Sequence, residues 1–293
     1  MPELPDVTLY VEALRAYLVG ATVKRFHVLN PFVLRSVEPG PSAWDGRPVI
    51  GVERLGKQIV LTGEEDLFLV IHLMIAGRLR WLAPEKKPPR RLSLATLGFA
   101  EGTLVLTEAG TRRRASLHIV RGRGKLAIFD RGGVEPLETD LDGFSTRLKS
   151  ENHTLKRALT DPRLFSGIGN AYSDEILHRA CLSPLTWTSR LDEDGVQRLH
   201  QATRSVLEEW TLRLRVEAKG GFPAKVTAFR EGMAVHGRYG KACPACGSPV
   251  QRIRYADNET NYCARCQTGG RLLADRALSR LLKDDFPKSI DEW

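Results

Sequence analysis

No stretch of this chain approaches the ~20 apolar residues that a membrane-spanning helix needs. The longest apolar run, Leu67 to Gly77, falls well short and carries His72 inside it. The first residues lack a basic segment followed by an apolar one, so no secretory leader is expected. Cysteine is scarce, five in 293 residues, which argues against a disulfide-stapled scaffold and fits a reducing compartment. Acidic side chains are the minority, 35 against 44 lysines and arginines, for a formal net charge of +9. There is no internal repeat and no low-complexity tract. What remains is a globular, cytoplasmic protein, nucleoid-associated if bacterial, with room for up to three cores. Its basic balance points to a polyanionic partner, nucleic acid ahead of an anionic membrane surface.

Hydrophobic spacing divides the chain. Val7, Tyr10, Val11, Leu14 and Leu18 recur at helical intervals, with Asp6 at the expected N-cap and Gly20 as a stop. A helix therefore starts directly behind residues 2–5. From about 22 to 130, short runs between turn residues predict strands, among them Thr22–Val28, Gln58–Leu61, Leu67–Leu73, Thr103–Thr107 and Leu126–Asp130. Such strands build a β-sandwich or barrel-like domain. From about 144 to 216 the periodicity is helical, broken by the turn Ser166-Gly167-Ile168-Gly169-Asn170 before a helix over Ala171–Ala180. A last helix is expected over Leu272–Lys283, packed on the cysteine-bearing module that precedes it.

Four of the five cysteines form two Cys-x-x-Cys pairs, Cys243 with Cys246 and Cys263 with Cys266. Each pair offers two sulfurs from one tight knuckle, and the segment between them is long enough for a hairpin that brings the pairs together. The spacing is that of a zinc ribbon; four protein ligands close the tetrahedron, so a single Zn2+ is structural. Redox-active or unliganded cysteines are the alternative. Arg252, Arg254 and Arg265 make the module basic, but such ribbons also serve as plain scaffolds.

The chain opens Met1-Pro2-Glu3-Leu4-Pro5-Asp6. Removal of Met1 leaves Pro2 with a secondary amine, and an α-amino group titrates near ~8, so a neutral, nucleophilic fraction exists at physiological pH. Glu3 beside it suits a general acid or an electrostatic stabiliser of an oxocarbenium-like transition state. Taken alone, Pro2 and Pro5 are equally well read as shaping the helix start.

The opening Pro2-Glu3-Leu4-Pro5-Asp6-Val7 closely resembles that of the formamidopyrimidine-DNA glycosylase and endonuclease VIII family. Gly56-Lys57-Gln58, the run Gly167 to Glu175, and His236-Gly237-Arg238-Tyr239-Gly240 ahead of the four cysteines and Gln267 follow in that family's order. The resemblance implies an α+β fold: a β-sandwich with a leading catalytic helix (1–135), a helix–two-turn–helix DNA-binding domain (144–235), a zinc-finger hairpin (236–270) and a C-terminal helical extension (271–293). It implies a monomer acting on double-stranded DNA that contains a damaged base or an abasic site, held as by a two-domain clamp. Pro2 would form a Schiff base at C1′, Glu3 would assist ring opening, and Lys57 would contact the backbone and help move a proton. The strand would be nicked by β-elimination, with δ-elimination left open. Asn170, Lys156 and Arg238 are implied phosphate contacts, Arg112 and Arg113 the intercalating segment, and Met74 and Ile75 the void fillers. A damaged base must leave the stack before its glycosidic bond can be reached, and something must fill the space it vacates.

Four positions depart from the family's pattern. Asp6 stands where glutamate is commoner, Ile75 stands at the usual void-filling methionine, and the arginine segment lacks its phenylalanine. Asn258, five residues before Cys263, takes the place of a phosphate-gripping arginine. Two other readings therefore stay open: a catalytically silent relative that binds damaged DNA, and a zinc-ribbon nucleic-acid module with unrelated chemistry.

Overall fold

The computed structural model describes residues 1–293 apart from positions 111, 224, 225, 228, 256, 257, 275, 284, 285 and 293. The chain forms two compact units. One comprises Met1–Arg131 with Trp210–Thr227, the other Gly132–Glu209 with Ala228–Trp293. Sequential boundaries at 135 and 235 miss this return. Val226 lies in the core of the first unit with Phe222 packed against it, which fixes residues 210–227 there.

In the first unit, α1 (Leu4–Leu18) buries Leu4, Val7, Tyr10, Val11, Leu14 and Leu18 on one face. Glu3 takes the N-cap that spacing gave to Asp6, and the Asp6 carboxylate accepts the Glu3 N–H at 3.0 Å in a capping box. The helix starts earlier than expected because Pro5 in its first turn has no N–H to leave unpaired. Eight strands follow: β1 (Arg25–Val28), β2 (Val49–Leu55), β3 (Gln58–Gly63), β4 (Leu67–His72), β5 (Gly77–Leu82), β6 (Ser93–Gly98), β7 (Thr103–Glu108) and β8 (Ser116–Arg121). They pair as two antiparallel sheets, β2-β3-β4-β8 and β1-β6-β7-β5. Ile59, Leu61, Leu69 and Ile71 of one sheet share a core with Leu79, Leu97, Leu104 and Leu106 of the other and with α1, the inward alternation of a sandwich. The strand expected over Leu126–Asp130 is instead part of a 3-10 turn, Arg123–Ile128, whose Leu126 covers Val60, Phe68 and Val70 on the other face of the first sheet.

Strand register brings three chain segments together at one end of the second sheet. Gly77 opposes Glu108, and Ser93 opposes Thr107. The start of β5, the start of β6 and the end of β7 therefore meet there.

The second unit is helical: α2 (Leu141–Lys149), α3 (Leu155–Thr160), α4 (Asn170–Arg179) and the first part of α5 (Glu193–Ala218). It continues with a hairpin, β9 (Gln251–Arg254) and β10 (Glu259–Tyr262), then α6 (Ala264–Thr268) and α7 (Arg276–Leu282). The tail departs from the expected helix. Leu272 and Leu273 are not helical; they bury with Ile290 against Ile253 and Tyr262, while Leu281 on α7 is 77% exposed. Backbone bonds from Leu272 N–H to Lys288 and from Ile290 N–H to Gly270 close the tail as a strap. No described helix is long and apolar enough to cross a membrane.

Candidate functional site

The first unit gathers one group of the expected residues. Pro2 is buried behind Met1, Glu3 is 2% exposed and Asp6 1%. The Met1 amine is held below the ordinary α-amino value, chiefly by burial; Glu3 and Asp6 pull it up, while Arg78 and Lys57 push it further down. Lys57 sits in the two-residue turn of the β2–β3 hairpin, where Gly56 takes φ +61°. His72, paired across from Gln58, is pushed down to about 4 by burial and then by Lys57, His118 and Arg131. It is a neutral imidazole at physiological pH. Spacing did not single it out, though a polar residue inside the longest apolar run was the available signal.

Beyond His72 the chain turns at Leu73–Gly77. Met74 takes φ +51°, a conformation costing about 1 kcal/mol for a residue with a Cβ. A Cβ on Gly77 would fall 2.3 Å from the Leu73 carbonyl oxygen, so the turn is tight. Ile75 projects outward, 58% exposed, and Met74 is half-buried. Arg78 holds the turn in place, donating to the carbonyls of Ile75 and Gly77 and to that of Val226. The arginine segment has its own anchor. The buried Glu108 carboxylate accepts the N–H groups of Arg114 and Ala115 at 3.0 and 3.1 Å. Arg112 and Arg113 are thereby exposed at the same sheet end as the turn, with Arg113 donating to the Arg91 carbonyl. Arg78 and Glu108 are positioning residues that pattern alone did not reveal, since each acts through partners set by sheet register.

The second unit holds the rest. Asn170 opens α4, and its Nδ2 donates to the Glu259 carbonyl at 3.0 Å, tying the helix start to the hairpin. Lys156 is corrected. It is 8% exposed, and its Nζ donates to the Asn170 carbonyl and to Asp174, whose other oxygen meets His236 Nδ1 at 2.8 Å. A buried, paired ammonium is no phosphate-facing cation; it locks the start of α4. Glu175 adds a second lock by accepting the N–H groups of Ala234, Val235 and His236. Lys156→Met should cost about 3–5 kcal/mol, because it strands a buried carboxylate. A lower thermal midpoint with an unchanged salt slope of DNA binding is expected; a smaller slope at unchanged stability would return Lys156 to the phosphate contacts.

Arg238 is half-buried and donates to the Ala242 carbonyl. Asn258 is exposed in the hairpin turn, its carbonyl accepting the Tyr255 N–H. Arg252 lies over the Tyr239 ring at 4.0 Å and 3.6 Å from Glu259, so it is already partly neutralised. The four cysteine sulfurs all lie within 4.8 Å of one another, with Cys246 to Cys263 at 3.4 Å and Cys243 to Cys266 at 3.9 Å. Zn–S bonds of about 2.3 Å in a tetrahedron require about 3.8 Å between sulfurs, and thiolates are the donors zinc favours. The residues fit one structural zinc. Gln267 backs the site, accepting the Cys263 N–H and donating to the Leu182 carbonyl, and His178 Nε2 stands 3.3 Å from Cys243 Sγ.

Three families match along the chain: the formamidopyrimidine-DNA glycosylase N-terminal domain over residues 1–117, the formamidopyrimidine-DNA glycosylase H2TH domain over 133–217, and a zinc finger found in FPG and IleRS over 240–269. The chain is 35% identical over 287 residues to a formamidopyrimidine-DNA glycosylase of Thermus thermophilus, covering 92% of this chain and all of that one. Among solved structures it is similar to Lactococcus lactis Fpg in complex with DNA containing an abasic site, with TM-score 0.81 and 25% identity over 91% of this chain and 99% of that one. It is also similar to the MutM (FPG) protein of Thermus thermophilus, with TM-score 0.76 and 34% identity over 91% and 98%.

Proposed function

The chain belongs to the formamidopyrimidine-DNA glycosylase family, and we propose that its reagent is the imino nitrogen of Pro2, set free by removal of Met1. It is a base-excision repair glycosylase with lyase activity at abasic sites, acting on DNA that contains a damaged base or an abasic site. The Pro2 lone pair forms a bond to C1′ as the glycosidic electron pair leaves with the base, and the departing base takes up the proton that the Pro2 nitrogen gives up. Glu3 delivers a proton to the ring oxygen, the ring opens, and an iminium remains. Loss of a C2′ proton then expels the 3′ phosphate, which nicks the strand. Lys57, with His72 beside it, faces the backbone; Asn170 receives a phosphate at the start of α4. Met74 and Ile75 fill the vacated stack, and Arg112 and Arg113 intercalate from the same sheet end.

The observation that supports this reading is the burial of Pro2 and of the Glu3 carboxyl side by side at the start of α1, with Asp6 capping the Glu3 N–H. Borohydride trapping on an abasic-site duplex tests it.

A silent, DNA-binding relative is kept in view by one observation, the exposed Asn258 where the hairpin turn carries no cation. Asn258→Arg should tighten binding to a damaged duplex and steepen log K against log salt by about 0.9, one phosphate contact. An unchanged slope in a salt titration would refute the phosphate account of that position.

A further inference from the structure

Strands β5 and β6 both run antiparallel to β7, which lies between them. The segment 83–92 must therefore cross β7 from the Leu82 end of the sheet back to the end where Gly77, Ser93 and Glu108 meet. That crossover reads Ala83-Pro84-Glu85-Lys86-Lys87-Pro88-Pro89-Arg90-Arg91-Leu92, four cations against one acid. Lys86, Lys87, Arg90 and Arg91 are all exposed. Among the described residues no ion pair engages Lys86, Lys87 or Arg90.

The crossover is built, not loose. The Pro89 carbonyl accepts three bonds, from the N–H groups of Leu92 and Ser93 and from Ser93 Oγ. Lys86 N–H closes a turn on Ala83, and Arg113 ties the Arg91 carbonyl to the arginine segment. Three prolines lower the entropy that ordering would otherwise cost. A six-residue strand spans roughly 20 Å, about six base pairs of duplex rise at 3.4 Å each.

We propose that this crossover is a second DNA contact, a cationic rail for the phosphodiester backbone of duplex DNA running away from the lesion. It rests on the DNA-binding reading above and extends the footprint beyond the site. Phosphate contacts of this kind carry affinity and no sequence information. A rail would hold the enzyme on undamaged duplex between lesions.

The test is a triple variant, Lys86→Ser, Lys87→Ser, Arg90→Ser, against the parent, on two duplexes with a central abasic-site analogue. One extends about ten base pairs to each side, the other about three. On the long duplex the variant should lose about 2–3 in the slope of log K against log salt and about tenfold or more in affinity near 0.1 M salt. On the short duplex parent and variant should bind alike, and borohydride trapping at saturating DNA should be equal. Equal slopes on the long duplex would overturn the rail, as would an equal loss on the short one. A parent that traps no adduct would instead fail the catalytic reading and leave this comparison of slopes standing.

Discussion

Borohydride added to the processed protein and an abasic-site duplex is expected to trap one covalent adduct, and peptide mass mapping should find it on Pro2. The same protein with its amine blocked, by a retained leader or by acetylation, should give none while still binding the duplex. The effect is all or nothing because the amine nitrogen is the bond-forming atom. Glu3→Gln should keep binding and lower turnover by about 10²- to 10⁴-fold, the usual contribution of a positioned proton donor. The pH profile follows from the protonation of the amine. Only the neutral amine is a nucleophile, so the reactive fraction grows as pH rises through the α-amino range near ~8 and then levels off. Adduct formation by a blocked chain, or intact Met1 in the active protein by mass spectrometry, would remove the proposed reagent.

The second large effect is metal removal. Structural zinc sites carry apparent binding free energies of about 10–16 kcal/mol, and that energy is folding energy. Beside the sulfurs the apolar support is Val235 and Val250, while Ile253 and Tyr262 of the hairpin bury against Leu272, Leu273 and Ile290, so metal loss should free the two cysteine knuckles and loosen the hairpin's hold on them. Its loss should propagate, since Asn170 is tied to the Glu259 carbonyl and the Gly237 N–H to Asn261. A chelator, or Cys263→Ser, should release the zinc and lower the thermal midpoint. DNA binding should fall to the level of an Asn170→Ala variant, while the β-sandwich keeps its strand signal. A metal-free protein with undiminished binding would show that the hairpin is a bystander.

These expectations draw on two kinds of information. Spacing alone yielded the zinc ligands, because a tetrahedral site needs two short loops and each Cys-x-x-Cys is one. It yielded the helix behind residues 2–5 and most of the sandwich strands, because periods of 3.6 and 2 are written locally. The resemblance added which ends of those elements carry chemistry. The misassigned pieces were local readings overruled by partners: Leu126–Asp130 had a strand-like composition but serves as a lid over Phe68 and Val70.

What only the tertiary structure decided is how each charge is used. Lys156 and Arg113 are both basic residues near a motif, yet one is buried against Asp174 and the Asn170 carbonyl while the other is exposed beside Arg91. Glu108 carried no signal in the sequence, yet its buried carboxylate fastens the N–H groups of Arg114 and Ala115. Val226 and Phe222 find their partners far away in the chain, in the core of the first unit. Hydrophobic periodicity records whether a side chain faces in or out of its own element, a property of neighbours a few residues off. Whether a buried charge is paired, and with what, depends on groups brought together across long sequence separations, and linear spacing carries no record of those.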